Sequence, residues 1–143
     1  RGEMRGLDAD YCRALAAEWA LMSLSAYRRR VVSWMPVRMR MRAALRVATT
    51  IAAAVDSRSR LRVRSHGRSA HVEVTASVFC AVRGVQAAPL CGFYRALTAT
   101  TLTHFALAST AHVDSCRAMG ASSCVIVVTL DAVRPAEETA AAA

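Results

Sequence analysis

Four cysteines, Cys80, Cys91, Cys116 and Cys124, are the residues of this sequence best placed to do chemistry. Cys116 and Cys124 stand symmetrically about Gly120. A hairpin turning there makes them directly opposed residues on one face, with Cβ atoms ~4.5–5.5 Å apart. Two thiolates at that spacing chelate a metal or, if oxidised, form a disulfide. Cys91 falls in the first turn of a helix opened by Pro89, where the helix dipole favours thiolate over thiol. Cys80 lies just beyond a strand. Four sulfurs complete the closed tetrahedral site that zinc prefers, and an iron–sulfur cluster or Cu(I) accepts the same donors. The spacings Cys-x10-Cys and Cys-x7-Cys are not those of a zinc ribbon. The alternative is four small buried apolar residues, a common use of cysteine. Cys12, near Tyr11 and Leu15, reads as core.

The elements that must position these sulfurs can be read from periodicity. Asp8 or Asp10 can cap a first helix running to about Arg28, with Leu15, Trp19, Met22 and Ala26 at helical spacing. Pro36 suits the first residue of a second helix, with Val37, Met41, Leu45, Ala48, Ile51 and Val55 as its apolar stripe. Arg38, Arg42 and Arg46 share another face of it. The period then drops to two in Arg58–Arg64 and again in His71–Phe79. A hairpin turning at Gly67-Arg68 sets Leu61 opposite Val74, Val63 opposite Val72, and Arg62 opposite Glu73. Glycine at the first turn position suits a two-residue type II′ loop, so turn and register agree. A third helix is expected from Pro89 to about Leu107. Two strands follow, near Ala111–Cys116 and Ser123–Leu130. This order predicts an α+β fold, an antiparallel sheet of two hairpins covered by about three helices. Residues 1–134 are expected to form a single domain, with 135–143 as a frayed tail.

The totals narrow the function classes. At 143 residues with 55% apolar content, the chain can bury a core without disulfides. Uncharged apolar stretches such as Cys124–Leu130 are too short to span a bilayer. Arg1–Arg5 leads straight into helical pattern with no signal-peptide character, which makes a reducing cytoplasm the expectation. The net charge of +9 is carried by arginine alone, which suits carboxylate and phosphate but cannot by itself choose a partner. Alanine-rich, lysine-free usage also fits a GC-rich genome.

Val78-Phe79-Cys80, then Pro89-Leu90-Cys91-Gly92-Phe93-Tyr94, then the run from Asp114 to Cys124 resemble the 4-vinyl reductase domain family. That family pairs a helix opening with Cys and a later Cys-x-Ala-x-Gly-x-x-x-Cys. The likeness covers about Glu73–Val128 and looks strongest to the J-type proteins encoded with bacteriochlorophyll biosynthesis, which also carry a cysteine at the equivalent of Cys80. The resemblance implies a fold related to TRAPP subunits, homodimerisation, and a pocket for a small apolar, aromatic or tetrapyrrole-like molecule. In phenol-sensing relatives a zinc ion sits beside that pocket. Cys91, Cys116 and Cys124 match its cysteine ligands. Val113 stands where the family often has a glutamate ligand, so Cys80 becomes the fourth candidate, with Asp114 or His112 in reserve. Arg58–Arg64 also departs from the more aromatic J-type pattern.

Within that frame, His104, Thr101 and Leu97 share a face of the third helix, and Phe93 and Tyr94 are aromatics available to a pocket. An imidazole there can meet a tetrapyrrole's metal or a phenolic hydroxyl. The alternative is a boundary histidine bonded to backbone. Arg62, with Arg58, Arg60 and Arg64, can grip propionate-like anions. Its alternative is a wet sheet face or subunit contact partly neutralised by Glu73. The lack of aromatics on this strand argues against nucleic acid. No phosphate loop, dinucleotide loop, Ser/His/Asp grouping or carboxylate pair is visible, so the expectation leans away from an enzyme. The expected protein is a ligand-binding accessory or carrier with a cysteine-bound zinc. A sensor or scaffold module and an iron–sulfur redox protein are the competing readings.

Overall fold

The computed structural model describes residues 34–81 and 83–132. The expected first helix and the tail 135–143 lie outside them.

Helix α1 spans Val37–Val55 and follows Pro36, whose carbonyl accepts the Arg40 N–H at 3.0 Å. Met41, Ala44, Leu45, Ala48 and Ala52 recur at helical spacing and are its buried residues. Ala44 and Ala52 replace the expected Val55, which is exposed because it sits at the helix end. The short alanine side chains let α1 pack closely on helix α2, Gly92–His104.

Strands β1 (Arg60–His66) and β2 (Ser69–Thr75) pair antiparallel in the expected register: Leu61 faces Val74, Arg62 faces Glu73, and Val63 faces Val72. Gly67 has φ +59°. That sign is required at the first position of a type II′ turn, and Arg68 keeps a negative φ, as that turn demands. Strands β3 (Ser109–Ser115) and β4 (Cys124–Leu130) form the second hairpin. The hairpins join through β2 and β4, giving the antiparallel order β1-β2-β4-β3. The fold is α+β as expected, with two helices among the described residues.

One sheet face carries Ala70, Val72, Val74, Cys124, Ile126, Val128 and Leu130, all buried against the helices. The opposite face carries Arg62, His71, Glu73 and Val125. Alternation with period two therefore separates core from surface, as the sequence pattern required. No helix among the described residues is long and apolar enough to cross a membrane.

Helix α2 begins later than Pro89 implies. The chain bends through residues 87–90, and Cys91 is the N-cap. The helix ends at His104 rather than near Leu107. There Ala106 adopts φ +55° and the Leu107 N–H reaches the Leu102 carbonyl at 2.9 Å. This is a Schellman closure with alanine in the place glycine usually takes, fastened by contact between two buried leucines.

Candidate metal centre

Each of the four cysteines arrives by a different local device. Cys80 ends a 3-10 turn, Val78–Cys80, whose N-cap Ser77 accepts the Phe79 N–H through its hydroxyl. Cys91 caps α2 with its backbone and makes no side-chain capping bond, which leaves its sulfur free. Cys124 is the first residue of β4, on the core face opposite Val74. Cys116 depends on an irregularity. Along β3 the pairing runs Ala111 with Val128 and Val113 with Ile126, then shifts so that Ser115 faces Val125. Asp114 is the extra residue of a β-bulge. Without that shift, Ser115 would stand opposite Cys124 and Cys116 would face the other side of the sheet. With it, Cys116 enters the core beside Cys124. A 3-10 turn, Arg117–Met119, then reverses the chain through Gly120 at φ +95°, a conformation glycine adopts without strain.

The four sulfurs lie within 4.8 Å of one another, and all four residues are buried. Cys80 Sγ is 3.3 Å from Cys124 Sγ and 3.7 Å from Cys116 Sγ, and Cys116 and Cys124 are 3.9 Å apart. Such a group of buried thiols can bind a metal ion. Phe79, Phe93 and Tyr94, whose ring centroids are 5.3–5.8 Å apart, flank the turn carrying Cys80 and the helix start carrying Cys91.

The electrostatics suit a cationic guest. Burial, followed by the neighbouring Cys124 and Cys116 sulfurs, pushes the Cys80 thiol up to about 12. Cys91 moves the same way, chiefly through burial. Burial thus opposes the thiolate expected at Cys91 from its place at a helix start. Burial also raises Cys116, but the Leu90 and Ala118 N–H groups and then the Cys91 and Cys80 thiols overcome it, leaving Cys116 lowered to about 7. The Arg117 N–H also points at Cys124 Sγ, at 3.3 Å. Backbone donors aimed at ligand sulfurs are the outer support that metal thiolates need.

A buried acid absent from the expected site braces this region. Asp56, just past α1, accepts the Val78 N–H at 3.0 Å, the Arg58 N–H at 3.1 Å and the Tyr94 hydroxyl at 3.2 Å. Tyr94 Oη also lies 3.1 Å from Ser77 Oγ. One carboxylate thereby ties the end of α1 to the Cys80 turn and to α2. Burial would raise its pKa, but these hydrogen bonds prevail and hold it below the ordinary value. Burial raises that of Tyr94. The available signal was Asp-x-Arg directly after an alanine-rich helix, the pattern of an Asx turn.

Of the six expected ligand-binding residues, five lie on α2 and the sixth, Arg62, on β1. Phe93, Tyr94, Leu97 and Thr101 are buried in the core. Thr101 Oγ1 donates to the Leu97 carbonyl at 2.7 Å. His104 is half-buried at the last turn of α2. Arg62 lies across the sheet, beside Arg64, His71, Glu73 and Val125. None of the first five lines the groove beside Arg68 and Leu130 or the one beside Arg42 and Leu61. Both reserve donors, His112 and Asp114, are exposed, and the sulfur group gathers without them.

Against known proteins, the sequence matches no family model and no curated protein. The site therefore rests on its own geometry.

Proposed function

We propose that this chain is a small-molecule-binding accessory or carrier protein of the 4-vinyl reductase type, braced by one zinc ion on Cys80, Cys91, Cys116 and Cys124. The observation carrying the metal is the closeness of the sulfurs. A tetrahedral ion with Zn–S bonds of ~2.3 Å needs its sulfurs about 3.8 Å apart. The contacts at 3.3, 3.7 and 3.9 Å bracket that spacing. An iron–sulfur cluster interposes several iron and sulfide atoms between its thiolates, so a single ion suits this spacing better. The all-sulfur donor set leaves no position open for water, which favours a structural role over a catalytic one.

The motif residues that carry the likeness to the 4-vinyl reductase family are the same ones that converge. The family reading, where it is adopted, would bring with it a homodimer in a reducing cytoplasm and a place in bacteriochlorophyll biosynthesis. Elemental analysis and an absorption spectrum of protein purified without oxygen test the metal. One equivalent of zinc and a colourless solution are expected. Metal-free protein, or iron with visible charge-transfer bands, would overturn the assignment. Mass spectrometry of an organic extract, taken after expression in a tetrapyrrole-rich host, tests the cargo. Absence of any co-purified small molecule counts against carriage.

A further inference from the structure

The groove between α1 and β1 is not part of the cysteine centre, and its chemistry is specific. The core-facing residues of β2 and β4 are sealed, whereas those of β1 are not: Leu61 is half-buried, Val63 is 37% exposed, and Ser65 is exposed. α1 does not reach across this edge strand. Between them lies a recess of ≈ 670 Å³, floored by Leu45, Leu61 and Val63. That volume falls within the ~300–1,000 Å³ typical of small-molecule sites. Arg42 and Arg46, one helical turn apart, stand on its rim, and no carboxylate lines it. Two guanidiniums over an apolar floor complement a molecule with an apolar body and one anionic head.

We propose that this groove binds a small soluble organic anion, its apolar body on Leu45, Leu61 and Val63 and its carboxylate-like head between Arg42 and Arg46. The proposal rests on the small-molecule-binding reading and names the class of ligand. Two fluorescent probes of nearly the same shape test it on the metal-replete full chain: 8-anilinonaphthalene-1-sulfonate, which is anionic, and N-phenyl-1-naphthylamine, which is not. The anionic probe should bind one per chain and more tightly than the neutral one. R42Q/R46Q should weaken the anionic probe by about tenfold, the loss expected of a charge-assisted contact, and leave the neutral probe unchanged. V63E should weaken both.

Equal affinity for the two probes, or an anionic affinity indifferent to R42Q/R46Q, would overturn the anion proposal while leaving small-molecule binding intact. Uptake of neither probe would overturn it as well, and the extract experiment then judges carriage separately. Sedimentation with phosphatidylglycerol vesicles that is lost in R42Q/R46Q, without stoichiometric probe binding, would reassign the groove to a membrane surface.

Discussion

The two hairpins of the sheet solve the same problem in opposite ways. β1–β2 is regular from end to end, turns in two residues, and leaves both faces of its outer strand partly open. β3–β4 breaks its own register at Asp114, turns through a 3-10 segment, and buries Cys116 and Cys124 at its closed end. Turn chemistry alone fixes the first. In the second, the ladder yields one residue so that a particular side chain changes sides. Bulges beside functional sites commonly have this effect.

The largest test of that contrast is loss of a sulfur. Cys116→Ser should abolish bound metal and lower stability by about 3 kcal/mol or more, because the proposed ion would fasten a helix start to the hairpin end. Chelation of the wild type should give a similar loss by thermal melting. Unchanged metal content and melting would reduce the second hairpin to an ordinary one with a defect.

A middle-sized effect is expected at Asp56, which serves the Cys80 turn without being one of the four candidate ligands. Asp56→Asn should cost about 1–3 kcal/mol, since an amide nitrogen replaces one of the two accepting oxygens and leaves one backbone N–H facing a donor. Because the folded carboxyl titrates below its ordinary value, its contribution is complete above the unfolded pKa and fades as pH falls through the folded one. Wild type should therefore lose stability more steeply than Asp56→Asn below about pH 4 in denaturant titrations. Parallel acid profiles would remove the carboxylate from the bracing scheme.

The smallest effects separate the two turns. Gly67 has open space around a Cβ, so Gly67→Ala should cost only the backbone penalty of about 1–2 kcal/mol and leave metal content untouched. Gly120→Ala should cost about the same in the folded backbone but also loosen metal, because it disturbs the loop joining Cys116 to Cys124. Equal metal retention in both would show that the second turn is not tuned to the sulfurs.

Much of this was legible in the chain itself. Alternating residues and one glycine defined the first register, and the symmetry of Cys116 and Cys124 about Gly120 anticipated their meeting. The bulge went unread: its one trace is that the alternating positions Ala111 and Val113 are followed by Cys116 three residues on, too short a signal to fix the register by itself. Proline at 89 pointed to a helix start that the chain delays, since residues before Cys91 must first descend toward the sulfurs. Helical spacing put Leu97, Thr101 and His104 on one face, but such spacing cannot distinguish a cavity wall from a packed interior, and Leu97 and Thr101 are buried in the core.

The bonding separations of the cysteines carry a consequence for assembly. Cys116 and Cys124 are eight residues apart, whereas Cys80 lies 36 and 44 residues from them. Ring closure costs least for the shortest span. A cation taken up by these sulfurs would find its cheapest first foothold on the late hairpin, and the costliest step would be the crossing to the earlier pair of cysteines. On the zinc proposal, the bond that first crosses from Cys116 and Cys124 to Cys91 would draw the earlier half of the protein onto the later half, and Cys80, 11 residues from Cys91, would then close a short span.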